Sequence, residues 1–586
     1  MPNSTTPKSP SQPQPCETVE EGTTRAIYAH RLLAIALTLA FAGIIARVAI
    51  LQTDPAPQLK RFIGAQYSNA PLFAPRGPIL DNKGRTLANT GVAQRLFVDP
   101  KMIEDPGTFP ERVGHGLNID PAEIGQKLHK RPNSRYIVLH KRLSEEQLNK
   151  LESINVKGLY TDLWLERQYP MGPVAGQIIG FVGQEGIGFE GAERLYNAEL
   201  KGTSGKLHYL RDSGLRPMHV DRNKFTAPKD GKTIRLSIDI AIQRMAEQQL
   251  AETCEKFKVE TAEMVVMNPH TGEIVAMANH PPFDPNEFRT TDPKYRLNRC
   301  VTDPFEPGST FKPFIWAMGV EGKYARSEEM INTNQSLGRA LRDTHGHGTI
   351  TWANVLIKSS NRGMAAVGLR MGNTKLYQAV RAFGFGELTG SGLSGESRGM
   401  VNPLRKWNKR FSPTSIPMGQ EIAVTPLQLC RATCVFANGG LLVSPTIRKG
   451  NPSDPTDPTN TQLVRRVLSE KTAFITRSVM RRVMTEGTGR RSQSKLYDIF
   501  GKTGTAQVAR NDGRGYEADA YSSVFVGGAP YDNPQLVVAC VVHRTKRKTG
   551  YYGGLVAGPA VKEVLEQSLR YMGVPAKDET RTASVR

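Results

Sequence analysis

The sequence predicts an α+β fold: an antiparallel sheet flanked by helices, preceded by a strand-rich module and by one N-terminal transmembrane helix. Three observations predict it. The apolar run Leu32 to Leu51 has bilayer length. The block after residue 236 carries strand patterns at both ends and helical patterns between them, so distant segments must close its sheet. The stretch between anchor and block is cut by Gly/Pro turns and short charged loops.

The chain has 586 residues, 39% of them hydrophobic, enough for real cores and against wholesale disorder. Its length suits about three or four units. Six Cys are too sparse for a disulfide scaffold. Cys16 precedes the anchor, and the odd number beyond it leaves at least one free thiol. Cys430 and Cys434 lie four apart in an apolar stretch and read as core packing rather than a metal pair. A net charge of +22 points to an anionic neighbour without choosing among nucleic acid, lipid and acidic polymer.

Taken in order, residues 1–24 are rich in Ser, Thr, Pro and Gln, and residues 1–31 are expected to be a disordered tail. Residues 32–51 form the anchor, about 30 Å long as a helix, with Arg47 near one end. Ala40-Phe41-Ala42 offers a signal-peptidase reading, but the long preceding stretch with Glu17, Glu20 and Glu21 favours an uncleaved anchor. Arg25 and Arg31 before the run are balanced by Lys60 and Arg61 after it, so charge does not set the orientation.

Residues 52–235 form the intervening module, with strand patterns at Arg95–Val98, Tyr136–Leu139 and Ile178–Val182 and a turn at Asp81-Asn82-Lys83-Gly84. Residues 236–575 form the main domain. It opens with a strand over Thr233–Ile238, a helix over Ile240–Phe257 and a hairpin about Pro269-His270-Thr271-Gly272. Helices dominate 310–440, and residues 451–461 are a loop by composition. Strands return at Phe500–Ala509, Ser522–Gly527 and Leu536–His543, followed by a helix over Ala557–Tyr571. Residues 576–586 are expected to be a flexible tail.

Three short patterns carry chemistry. In Glu306-Pro307-Gly308-Ser309-Thr310-Phe311-Lys312, Pro-Gly precedes an apolar helical run. Ser309 therefore falls in a first turn, with Lys312 on the same face. A desolvated lysine can be neutral and take the serine proton. Ser492-Gln493-Ser494-Lys495 has the same spacing, in a polar stretch that suits a solvated loop. In Lys358-Ser359-Ser360-Asn361, a junction between helices, Ser359 could relay a proton and Asn361 could orient an amide. Helix capping is the plainer reading of those residues.

Lys502-Thr503-Gly504-Thr505 lies in a strand, where alternation puts Lys502 and Gly504 on one face and Thr503 and Thr505 on the other. Lys502 would attract a carboxylate, and Gly504 would leave room for an added peptide strand. A phosphate loop fails because position 496 is Leu. A competing Lys548-Thr549-Gly550 lies in a basic turn. His345 and His347 read as loop residues, and neither a metal nor a cofactor is expected.

In this order, Ser-x-x-Lys, Ser-x-Asn and Lys-Thr-Gly, the chain resembles the class B penicillin-binding proteins, which are D,D-transpeptidases. Arg76-Gly77-Pro78-Ile79-Leu80-Asp81, Arg167-Gln168-Tyr169-Pro170, Gly188-Phe189-Glu190-Gly191-Ala192-Glu193, Thr425-Pro426-Leu427-Gln428 and Ala437-Asn438-Gly439-Gly440 extend the resemblance over about residues 60–565. It implies a penicillin-binding transpeptidase domain on a pedestal (dimerisation-type) module, with the tail cytoplasmic and the catalytic domain outside the inner membrane. It implies Ser309 as nucleophile, Lys312 as base, and Ser359, Asn361 and Lys502 as further catalytic groups. Thr503, Gly504 and Thr505 would bind substrate, with the N–H groups of Ser309 and Thr505 as oxyanion hole.

Implied partners are peptidoglycan stem peptides, β-lactams as inhibitors, membrane lipid through the anchor, and glycan-polymerising and division proteins, but no nucleic acid. Phe383–Gly386 and Ala-Val-Thr-Pro-Leu-Gln favour the division-specific branch over the elongation branch. A hydrolase on the same scaffold and a non-enzymatic division scaffold are the other readings. The basic run Arg405 to Arg410 could meet anionic wall polymer or lipid, but a solvated face is the plainer reading.

Overall fold

The computed structural model describes residues 19–54, 67–154, 156–183, 186–211, 217–335, 341–450, 463–510 and 515–577. They fall into two compact units: residues 1–72 with 204–228, and residues 73–203 with 229–586.

The first unit holds the anchor helix Val19–Thr53 and a three-stranded antiparallel sheet of Tyr67–Leu72, Gly205–Arg211 and Pro217–Val220. The span Thr24–Thr53 is apolar enough to cross a membrane, and none of its most apolar stretch is buried. The helix starts well before Leu32, contrary to a disordered tail up to residue 31, because propagation from an established helix is cheap compared with nucleation. Residues 1–18 and the composition loop 451–461 lie outside the described residues.

In the second unit, Thr86–Val98 is the long strand of a five-stranded sheet with Ile79–Leu80, Ile137–His140, Leu159–Gln168 and Ile234–Arg235. The expected strand Ile178–Val182 is instead the helical turn Gly176–Ile179. Gly180, at φ 74°, turns the chain there, and a Cβ on it would meet the Glu190 carbonyl at 1.9 Å. Here the family-like motifs converge. Buried Glu193 takes Arg76 Nε at 2.5 Å and Arg167 Nε at 2.6 Å. Arg85 bridges Asp81 to Asp239, the N-cap of helix Ile240–Phe257.

The main sheet runs Ile274–His280, Ala262–Met267, Leu536–Thr545, Tyr516–Ala529, Phe500–Ala509, with every neighbouring pair antiparallel. Both faces are buried. Met264, Val266, Val538 and Cys540 pack on the Ile240–Phe257 and Ala557–Tyr571 side. Val265, Met267, Val537 and Ala539 share the opposite core with Leu429, Ile315 and Trp316. A sheet covered on both faces reads as continuous apolar runs rather than alternation. Cys430 and Cys434 are buried free thiols in helix Pro426–Ala437, as expected for core packing.

Candidate active site

Ser309 sits half-buried in a 3-10 turn, Gly308–Phe311, that runs directly into helix Lys312–Glu321. Pro313 suits the first turn because its missing N–H needs no partner there. Glycines make the turn possible. Gly308 has φ 53° and donates its N–H to the Gly419 carbonyl at 3.2 Å. A Cβ on Gly504 would meet the Pro307 carbonyl at 2.9 Å and Thr310 Cγ2 at 2.8 Å. The room Gly504 leaves is thus filled by the serine turn, not left open to a peptide.

The helix behind the turn is held rigidly. Phe311 and Phe314 pack with Phe385, and Phe314 also with Phe383 and Phe436, at centroid distances of 5.0–5.5 Å. Trp316 stacks on Trp352 and donates to its carbonyl at 2.8 Å. Trp352 begins the short helix Trp352–Ile357, whose end carries the Ser-x-Asn residues.

Lys312 is fully buried. Its Nζ donates to the Ser359 carbonyl at 2.6 Å, to Ser359 Oγ at 3.2 Å and to Asn361 Oδ1 at 2.7 Å. Burial pulls its pKa down to about 7, against a partly compensating pull from Asp343. The amine can therefore be neutral near neutral pH, as a general base requires. Ser359 has φ 58°, a left-handed conformation costly for a residue with a side chain, and it is this geometry that turns both its oxygens to Lys312.

Ser360 caps the next helix, Asn361–Ala382, which breaks at Gly372. So the capping reading holds for Ser360, while Ser359 and Asn361 engage the lysine. Asn361 is oriented by a donor bond from its Nδ2 to the Arg342 carbonyl at 3.1 Å.

Lys502 is also fully buried and donates to the Thr503 carbonyl at 2.8 Å. Burial and the positive charge of Lys312 hold its pKa well below the usual lysine range. Thr503 Oγ1 pairs with Thr488 Oγ1 at 2.7 Å, and Thr505 Oγ1 accepts from the Gly553 N–H at 3.1 Å. The structure thus brings all three patterns around one turn: Lys312 to Ser359 and Asn361 by hydrogen bonds, and the 502–505 strand against it through Gly504.

Sequence reasoning missed three contributors. Asp343 accepts from Ser360 Oγ at 2.6 Å and from the N–H groups of Asn361 and Arg362 at 2.6 and 3.1 Å. It lies far from the motif in sequence, with no local signal. Thr488 and Gly553 approach the 502–505 strand; the Gly-Thr-Gly and Gly-Gly pairs around them were the available hints. The competing patterns fall elsewhere. Ser492 is buried, not solvated as expected, because helix Ala557–Tyr571 closes over it where a Cβ on Gly558 would lie 2.1 Å from its hydroxyl. Lys548-Thr549-Gly550 is a turn with Lys548 and Thr549 exposed. Among the described residues no His/Cys/Asp/Glu group could hold a metal ion.

A family model described as the penicillin binding protein transpeptidase domain matches residues 262–566, and one described as the penicillin-binding protein dimerisation domain matches residues 71–236. The chain is 32% identical to the probable peptidoglycan D,D-transpeptidase PenA of Neisseria meningitidis, over 94% of each chain. It is 28% identical to the peptidoglycan D,D-transpeptidase FtsI of Escherichia coli, over 93% of this chain and 92% of that one. The crystal structure of penicillin binding protein 3 from Mycobacterium tuberculosis, complexed with aztreonam, superposes with a TM-score of 0.64 at 26% identity, covering 86% of this chain and 98% of that one.

Proposed function

The chain belongs to the class B penicillin-binding proteins, and from that membership we propose that it is a peptidoglycan D,D-transpeptidase working through an acyl-enzyme on Ser309. The observation that carries this reading is the buried Lys312 amine, with its pKa near 7 and its hydrogen bonds to Ser359 and Asn361.

Ser309 Oγ bonds to the carbonyl carbon of the penultimate D-Ala of a stem peptide, and its proton passes to neutral Lys312. The oxyanion that forms is held by the N–H groups of Ser309 and Thr505, with the buried Lys502 nearby. The C–N bond then breaks, and Ser359 helps return the proton to the departing D-Ala amine. The amine of a neighbouring stem peptide attacks the ester, which forms the cross-link and frees Ser309. Thr503 and Thr505 line the donor peptide, while Gly504 lets the strand pack against the serine turn. β-Lactams acylate the same serine.

The helix Val19–Thr53 anchors the protein in the inner membrane in one pass, with the catalytic domain outside the cytoplasm. We place it in septal wall synthesis, beside glycan-polymerising and division proteins, on the similarity to FtsI and the Ala-Val-Thr-Pro-Leu-Gln stretch; filamentation on depletion is the expected phenotype, and rounding would transfer it to elongation.

Labelling with a fluorescent penicillin tests the chemistry. The native chain and Ser492→Ala should label, and Ser309→Ala should not. Labelling of a folded Ser309→Ala variant would refute the assignment. An added amine acceptor that fails to capture the acyl group would move the activity to hydrolysis.

A further inference from the structure

Between Glu396 and Glu421 the chain carries Arg398, Arg405, Lys406, Lys409 and Arg410 and not one Asp or Glu. The strands Met400–Val401 and Ile422–Ala423 pair at the base, so the intervening residues form a closed excursion from the core. Trp407 anchors it: the ring is buried, donates to the Asn402 carbonyl at 2.9 Å and meets Tyr377 edge-on at 5.6 Å. Asn408 folds the tip by accepting from the N–H groups of Arg410 and Phe411 at 2.8 and 3.0 Å.

Around this pinned tryptophan, Arg405, Lys406, Lys409 and Arg410 are all exposed, and none makes an ion pair with a carboxylate among the described residues. The flanking carboxylates are engaged elsewhere. Glu396 accepts from Thr389 and Ser391, and Glu421 from Ser412 and Ser415. Both carboxylates thus accept from hydroxyls beside them, and the four cations stay exposed on a loop pinned by Trp407. Fixed charge of one sign attracts an anionic partner.

The loop is continuous with the site. On its return leg Gly419 accepts the Gly308 N–H, one residue before Ser309. Its Pro413 carbonyl lies where a Cβ on Gly368 would meet it at 2.2 Å, so it packs on the helix that begins with Asn361. The segment that carries the cations is thus tied at its return leg to the turn that holds Ser309. Of the loop's two aromatic rings Trp407 is buried and Phe411 exposed, so a lipid surface is the outcome that the vesicle measurement below tests.

We propose that the 402–411 loop is a docking surface for the anionic peptidoglycan strand, binding stem-peptide carboxylates outside the reacting peptide. This inference rests on the transpeptidase reading, and it accounts for part of the chain's +22 charge.

The test is co-sedimentation of the detergent-solubilised full chain with purified sacculi stripped of attached protein and anionic polymer. Salt would be raised from about 50 to about 300 mM, which shortens the screening length from roughly 14 to roughly 6 Å. Two combined variants are compared: Arg405→Gln, Lys406→Gln, Lys409→Gln, Arg410→Gln, and the charge-preserving Arg405→Lys, Lys406→Arg, Lys409→Arg, Arg410→Lys. The native chain should bind in a salt-sensitive way, the charge-preserving variant equally, and the glutamine variant about tenfold more weakly or worse, a loss of roughly 1.4 kcal/mol or more. Equal binding by a glutamine variant that melts like the native chain would overturn the proposal. So would unchanged sacculus binding with lost capture on phosphatidylglycerol vesicles, which would assign the loop to lipid. Penicillin labelling of the native chain reads the transpeptidase assignment separately, so its failure is distinguishable from failure of the surface.

Discussion

Lys312 Nζ donates to Asn361 Oδ1 at 2.7 Å, and each residue is the first of its helix. The bond fixes the amine beside Ser359 while adding no charge. Asn361→Asp would place a carboxylate there and raise the Lys312 pKa from about 7. Acylation by penicillin should then fall at pH 7, about tenfold per unit of rise, and recover toward pH 9. Asn361→Ala should lose activity without that alkaline recovery. An unmoved profile in Asn361→Asp would show that Lys312 is not the base.

Asp343 acts on the same amine against the effect of burial. Its negative charge pulls the Lys312 pKa up. Its oxygens also receive Ser360 and two backbone N–H groups at a helix start. Asp343→Asn should move the acid limb of acylation to lower pH and cost about 1–2 kcal/mol of stability from the weakened cap. A loss of stability with no shift in the limb would make Asp343 a cap alone.

Part of this site could be read in the sequence, because helix starts and strand alternation are local. Pro307-Gly308 marked the turn, and the 500–509 strand was read to its ends. What escaped was long-range. Asp343 reaches Ser360 across a stretch with no periodic signal, and Thr488 meets Thr503 only after the sheet forms. Ile178–Val182 failed as a strand because Gly180 admits a backbone angle that β-branched neighbours conceal. Ser492 failed as a solvated serine because its cover comes from Gly558, sixty-six positions on (558 − 492). Alternation placed Gly504 correctly opposite Thr503 but could not say what would fill the space.

That filled space gives a packing prediction. A methyl on Gly504 would press on the Pro307 carbonyl, the Thr310 amide at 3.1 Å and Thr310 Cγ2. Two of the three are backbone and cannot swing aside. Gly504→Ala should displace the Ser309 turn, cut the acylation rate strongly and cost about 1–3 kcal/mol. Native acylation in this variant would mean that the turn is free to move. Thermal melts separate the two effects, because a global loss of fold would remove the transition rather than lower it.

A buried pair in the main sheet predicts a second pH dependence, one of stability. His543 Nε2 lies 2.7 Å from Glu263 Oε2, and Glu263 is fully buried. Burial pulls the His543 pKa down, but the Glu263 charge outweighs it, and the value ends above 6.5. A raised histidine pKa means that the folded state holds a proton the unfolded state releases. Its contribution is therefore complete below about pH 6.5 and is lost as pH rises through the folded value. Glu263→Gln should remove that slope, so that melting temperature no longer falls across this window. At pH 6 it should also destabilise by about 3 kcal/mol, since it removes one partner of a buried pair and the imidazole must shed its proton to stay buried. The ring of Phe305, which leads into the serine turn, meets His543 edge-on at 6.1 Å. The same variant should therefore weaken penicillin acylation more at pH 6 than at pH 8, because only at the lower pH does the native chain carry the pair. Equal slopes of melting temperature in the native and variant chains would show that His543 stays neutral throughout.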